Sequence, residues 1–188
     1  MTVDIIIRLS DDDLEKFQQI VDRGKQALTG EDKAGAVEQA ATELFQKTKG
    51  QALPKFVAER FQKLNLLSKM IADEEWKLSD EERNAIAGAL YYFVDPNDVI
   101  PDHIPGIGYL DDALYAEIVI RELQVEIESY LEFCRYRVNE EKRRRNEGLD
   151  PFVGREDWLA DKRAVLHLRM RQRRSRRSSA GGWKVSLY

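Results

Sequence analysis

Apolar residues along most of this chain follow the spacing of α-helices. Between residues 54 and 71 they recur every three or four positions, which is the repeat of one helix face. The same repeat appears around residues 14–28, 37–45 and 86–93, and again from about Asp111 into the Glu140 region. Ser79, followed three residues later by Glu82, is a capping-box pattern that predicts where one helix begins. The pattern predicts a mainly α protein built as a helical bundle.

The two ends of the chain show a different pattern. Residues 3–9 and residues 183–187 alternate between apolar and other side chains, which is the repeat of a β-strand. A single strand in a helical protein leaves its backbone groups without partners. We therefore expect a short N-terminal strand that pairs either with the C-terminal segment or across a dimer.

Residues 94–110 interrupt the helices with residues that a helix interior does not tolerate. They contain three prolines and two glycines: Pro96, Pro101, Pro105, Gly106 and Gly108. The prolines restrict φ, and the glycines permit the positive φ of a sharp turn. We expect a helix-loop-helix hairpin at this place.

The sequence from Tyr91 to Ala113 also resembles the signature of the YkvA-like family, a largely bacterial domain of unknown function. That signature is Tyr-x-x-x-Pro-x-Asp-Leu-Ile-Pro-Asp-x-Ile-Pro-Gly-x-Gly-Tyr-Leu-Asp-Asp between two helices, and here Val99 replaces its usual Leu. The resemblance covers about residues 82–123. It implies a helical hairpin within a helical domain and supplies no established activity. Some relatives place the hairpin in membranes, but the flanking helices here carry too many charges for that.

Four aspartates in and beside the loop have two interpretations: Asp98, Asp102, Asp111 and Asp112. Such residues commonly close turns and cap helix starts. Alternatively, they converge on Mg²⁺ or Ca²⁺, which prefer oxygen ligands, although no twelve-residue calcium loop is present. His103 could join a transition-metal site, but a single loop histidine is more often solvated.

Charge divides the chain more sharply than its formal net value of −4 suggests. Residues 1–134 carry 14 basic and 27 acidic side chains, whereas residues 135–188 carry 16 basic and 7 acidic. The length of 188 residues fits one domain with an appendage. We therefore predict an acidic helical domain over 1–145, with the hairpin at 82–123, and a basic C-terminal helix and tail over 146–188.

The basic end contains what we call the arginine cluster: Arg169, Arg171, Arg173, Arg174, Arg176 and Arg177. Arginine grips carboxylates and phosphates through a bidentate fork. The cluster could bind an acidic protein partner or the acidic part of this same chain. It could also contact the phosphates of nucleic acid, as in a ribosome-associated accessory protein, or lie on an anionic membrane surface. Trp183 and Tyr188 could stack on bases in the nucleic-acid case.

Patterns of known catalytic and cofactor sites are missing from the sequence. The one cysteine, Cys134, lies on an apolar helix face and excludes a disulfide scaffold, while His167 has no carboxylate at helical spacing. No stretch reaches the roughly 20 apolar residues of a membrane span, and the N-terminus has no secretory signal pattern. We expect a non-enzymatic, cytoplasmic interaction or scaffold protein without a cofactor, and keep nucleic-acid binding and divalent-metal binding as alternatives.

Overall fold

The computed structural model describes residues 33–48, 53–94 and 110–179, with a few isolated positions between 10 and 19. Over these ranges the chain forms six α-helices and one 3-10 turn, and no strand. The helices are α1 Lys33–Thr48, α2 Lys55–Ala72, α3 Asp80–Leu90, α4 Leu110–Glu122, α5 Gln124–Asn146 and α6 Arg155–Ser179, and the 3-10 turn is Tyr91–Val94. The predicted mainly α bundle is confirmed. The predicted terminal strands, and almost all of the helix predicted around 14–28, lie outside the described residues.

The chain separates into two compact units. The first comprises residues 1–72 and 78–121, and the second comprises residues 73–77 and 122–188. The predicted boundary at residue 145 follows charge and stays a prediction; in the structure, residue 145 lies at the end of α5, within the second unit.

The first unit packs α1 against α2 and α3, and α2 against α3. The apolar stripe predicted on α2 is buried, and so are the predicted inward positions of α3. These buried side chains are Val57, Phe61, Leu64, Leu67, Ile71, Ile86, Ala89 and Leu90. Phe93 of the 3-10 turn meets Tyr115 of α4 edge-on, with ring centroids 5.2 Å apart. The core of this unit is therefore mainly aliphatic.

The helix starts of the first unit follow from local sequence. Ser79 accepts a hydrogen bond from the backbone N–H of Glu82 at 3.3 Å, and the Glu82 carboxylate accepts one from the N–H of Ser79 at 3.0 Å. This is the predicted capping box. Pro54 precedes α2, and its carbonyl accepts the N–H groups of Val57 and Ala58.

The single long helix predicted from Asp111 to Glu140 is in fact two helices. Leu123 separates α4 from α5, with φ −94° and ψ 17°. That ψ lies far from the helical value near −42°. The first unit ends at Arg121, so the interruption coincides with the boundary between the units.

The second unit is an antiparallel hairpin of α5 and α6. Gly148 ends α5 with φ +73°, its N–H bonds to the Arg145 carbonyl, and the N–H of Leu149 bonds to the Arg144 carbonyl. These two hydrogen bonds form a Schellman motif. Glycine is favoured at the position of Gly148 because the motif requires a positive φ there. A loop of residues 147–154 then leads to Arg155, where α6 begins.

Candidate interaction surface on the second unit

A short turn after α2 packs into the second unit. We call residues Asp73–Lys77 the 73–77 turn. Its Trp76 is fully buried, with ring centroids 5.8 Å from Tyr130, 5.0 Å from Phe133 and 4.3 Å from His167. Tilted and edge-on ring pairs add to the area that such a side chain buries. Trp76 thus contacts aromatic side chains of both α5 and α6.

The carboxylates of the 73–77 turn bind cations of the same two helices. Asp73 accepts hydrogen bonds from the Tyr130 hydroxyl at 2.9 Å and from Arg137 at 3.1 Å. The Glu75 carboxylate accepts a hydrogen bond from Arg137 at 2.8 Å. It accepts another from Arg155, which is the first residue of α6. Charged, multiply bonded groups of this kind are stronger than neutral hydrogen bonds. The network therefore holds the start of α6 and the middle of α5 to one turn.

Local electrostatics of this network indicate a structural rather than a nucleophilic role. The hydrogen bond from Arg155 lowers the pKa of Glu75, and the hydrogen bond from Arg137 lowers it further. Partial burial acts in the opposite direction and raises this pKa, but the effect of the arginines is larger. Burial raises the pKa of the Cys134 thiol. The sulfur atom of Cys134 lies 3.8 Å from Nη2 of Arg137. A nucleophilic cysteine is favoured by a lowered pKa, whereas burial shifts the pKa of Cys134 in the opposite direction.

All six arginines of the arginine cluster lie on α6. Arg169 pairs with Glu132 at 3.1 Å, Arg173 with Glu128 at 3.5 Å and Arg174 with Glu126 at 3.4 Å. Arg171 and Arg176 are exposed and also take part in interactions, while the side chain of Arg177 is not described.

The described part of α6 also exposes apolar side chains. Val165 is 52% exposed and Leu168 is 60% exposed, and they are one helical turn apart. The opposite face of α6 buries Leu159, Leu166 and Met170. The helix therefore has a packed face against its own unit and an outward face that is partly apolar and strongly basic.

The predicted aspartate site is mostly outside the described residues. Asp98, Asp102 and His103 lie there, together with Pro96, Pro101, Pro105, Gly106 and Gly108. Asp111 and Asp112 occupy the first turn of α4, and Asp112 is buried and has an interaction partner. Within the ranges that the structure describes, no three histidine, cysteine or acidic residues gather in a way that could hold a metal ion. Metal binding by the loop stays a prediction.

Sequence reasoning missed the residues that organise the second unit, namely Asp73, Glu75 and Trp76. A signal was present, because a tryptophan stands among four charged residues in a short connection between two helices. Large aromatic residues in such a connection are seldom left in solvent. The partners on α5 and α6 are more than fifty positions away and have no local signature.

Comparison with known proteins agrees with the loop signature. The model of a family described as "Protein of unknown function (DUF1232)" matches residues 83–116. Searches of curated proteins and of solved structures each find no match. None of the helices in the described ranges combines the length and apolar character needed to cross a membrane. The predicted resemblance is confirmed: residues 83–116, which run from α3 into α4, match a family of unknown function that is consistent with the YkvA-like proteins.

Proposed function

We propose that this chain is a non-enzymatic interaction module that binds an acidic partner through the outward face of α6. One observation carries the proposal: the arginine cluster lies on one helix, yet two of its ion pairs to α5, Arg169–Glu132 and Arg173–Glu128, stay at the surface. Both partners of these two pairs are between 36% and 52% exposed, whereas Arg174 pairs with the buried Glu126.

Such pairs are easily exchanged for others. Exposed ion pairs contribute only about 0–1 kcal/mol each. A partner that offers several carboxylates can therefore replace Glu132 and Glu128 at little cost, and it gains contacts to other exposed arginines of α6 at the same time. The overall acidity of the chain, with a net charge of −4, means that attraction to an acidic partner has to be local to α6.

Nucleic-acid binding is the second candidate, because six arginines on one helix also suit phosphates. Two observations favour a protein partner instead. Arg169 and Arg173 already pair with carboxylates, and Val165 and Leu168 are exposed among the arginines. A phosphate backbone offers nothing to cover those two side chains.

Binding of poly-L-glutamate to the full-length protein tests the proposal. Replacing three exposed arginines of α6, by Arg171→Gln, Arg173→Gln and Arg176→Gln, should weaken binding about tenfold, which corresponds to roughly 0.5 kcal/mol for each lost contact. Binding should also fall steeply as salt rises.

A matched control removes the same charge from exposed positions of α5, by Arg135→Gln, Lys142→Gln and Arg145→Gln. This variant should bind the polymer nearly as well as the unchanged chain. Equal losses in the two variants would mean that binding follows total charge, and the proposal would be wrong.

A further inference from the structure

The outward face of α6 carries a regular repeat. Five exposed residues follow one another at alternating spacings of four and three, and we call them the outer stripe: Asp161, Val165, Leu168, Gln172 and Ser175. This is the spacing of the contact positions in a coiled coil. The positions that face away from the stripe include Leu166, His167 and Met170, which are buried within the second unit. The stripe therefore points away from the helix's own partner.

From Lys162 onward, the charged residues that flank the outer stripe are all basic. The flanking positions of a coiled-coil seam are occupied here by Lys162, Ala164, Arg169, Arg171, Arg176 and Ser178. In a coiled coil these positions meet the flanking positions of the partner helix, and their charges decide which helices pair. A second copy of α6 would place arginine opposite arginine in either orientation. A helix with glutamate or aspartate in its flanks would be attracted instead.

We propose that the outer stripe of α6 docks an amphipathic helix of an acidic protein partner. The partner's apolar side chains cover Val165 and Leu168, and its acidic flanks pair with Arg169, Arg171 and Arg176. This inference rests on the proposed function and adds to it the shape of the partner and the register of contact.

The composition of the stripe also sets the strength of the contact. Only two of its five positions are apolar, while Asp161, Gln172 and Ser175 are polar. A seam of this kind buries little apolar area, so charge pairs at its edges supply much of the attraction. Binding is therefore weak and sensitive to salt, as in a reversible contact.

Two synthetic acidic peptides test the inference on the full-length protein, with binding followed by fluorescence anisotropy. The first is about three heptads long, with leucine at the seam positions and glutamate at the flanks. The second has the same composition in an order that breaks the seam. The first peptide should bind roughly tenfold more tightly, because only it covers both exposed apolar side chains.

Two double variants locate the contact. Val165→Ser with Leu168→Ser should reduce binding of the first peptide to the level of the second. Leu131→Ser with Val138→Ser, on the exposed face of α5, is the matched control and should leave binding unchanged. Leu131 and Val138 are 40% and 61% exposed, and Val165 and Leu168 are 52% and 60% exposed. Serine at any of these positions therefore leaves no cavity in a buried core.

The outcomes separate this inference from the proposed function. Equal binding of the two peptides, with no effect of the α6 serine variant, overturns the inference but leaves binding through arginine intact. Tighter binding of a single-stranded oligonucleotide than of the first peptide overturns it in favour of nucleic acid. If neither peptide, nor poly-L-glutamate, binds in a way that depends on α6, the inference and the proposed function both fail.

Discussion

The two units of this protein are stabilised by different kinds of contact. In the first unit, α2 and α3 contribute aliphatic side chains such as Leu64, Leu67 and Ile86 to a buried core. In the second unit, α5 and α6 meet around Trp76 and are joined by ion pairs to the 73–77 turn and to each other. Burial of aliphatic area does not depend on pH, whereas ion pairs depend on both pH and salt. The second unit, which has more ion pairs, should therefore respond more strongly to its ionic surroundings than the first, where Glu117 pairs with Arg60 and Arg121.

The same difference extends to the surface. Among the described residues, the large apolar side chains that are more than half exposed all lie in the second unit: Val138, Leu149, Phe152, Val153, Val165 and Leu168. Exposed apolar groups beside charged ones are typical of interaction surfaces. The unit with more ion pairs is thus also the unit that exposes these apolar side chains.

Acid should produce the largest contrast between the units. Hydrogen bonds from Lys162 and Arg163 lower the pKa values of Glu132 and Glu156, and Arg143 lowers the pKa of Glu140 to about 2. Because these pKa values are lower in the folded state, their stabilisation is present above the unfolded value near 4.5 and is lost as the pH falls through the folded values. Denaturant unfolding followed by tryptophan fluorescence, to which the buried Trp76 and Trp158 contribute, should show the second unit losing stability as the pH falls from about 4.5 to 2.

Helical circular dichroism supplies the comparison for this titration. The signal that remains after the fluorescence change should belong to the first unit. A single coincident transition, with both signals lost together, would contradict the distinction between the units.

Trp76→Ala should be the most damaging single substitution in the second unit. It removes a fully buried ring from contact with three others, and large-to-small changes of this type cost about 3–5 kcal/mol. Denaturant unfolding followed by tyrosine fluorescence and circular dichroism measures the change. Leu64→Ala is the counterpart in the first unit, with an expected cost of about 2–5 kcal/mol that does not vary with salt.

Glu75→Gln should cost about 2 kcal/mol, since it removes the charge that Arg137 and Arg155 share while keeping the shape of the side chain. The neighbouring Glu74 is exposed, and Glu74→Gln is a control for the loss of charge. The difference between the two variants should shrink at high salt. If Glu75→Gln were as mild as Glu74→Gln, the network around the 73–77 turn would not stabilise the unit.

Gly148→Ala should have the smallest effect, a loss of about 1 kcal/mol, because φ +73° is unfavourable for alanine. The added methyl group meets no atom within 4 Å, so the cost is one of backbone conformation alone. Thermal unfolding can detect a change of this size. An unchanged midpoint would mean that the Schellman motif at the end of α5 is not needed for stability.

Most of the fold could be predicted from the sequence because its signals are local. The capping box at Ser79 and the apolar repeat of α2 each depend on residues a few positions apart. The break at Leu123 could not be predicted, since the apolar spacing continues through Leu123 to Ile127 without a glycine or proline.

The candidate interaction surface was only partly predictable. The arginine cluster is obvious in composition, and helical spacing places it on one element. Two features depend on how segments that are distant in the sequence meet in space. One is the pairing of the cluster with Glu126, Glu128 and Glu132, and the other is the packing of Trp76 between α5 and α6. The outward direction of Val165 and Leu168 follows only once the buried face of α6 is known.

Hydrogen exchange of the full-length protein, compared at low salt and at about 1 M NaCl, tests the central claim most directly, because salt at that concentration screens surface charges within about 3 Å. We expect faster exchange at high salt in α5 and α6, and a clearly smaller change in α2 and α3. Equal changes in the two pairs of helices, or no change in α5 and α6, would contradict the account.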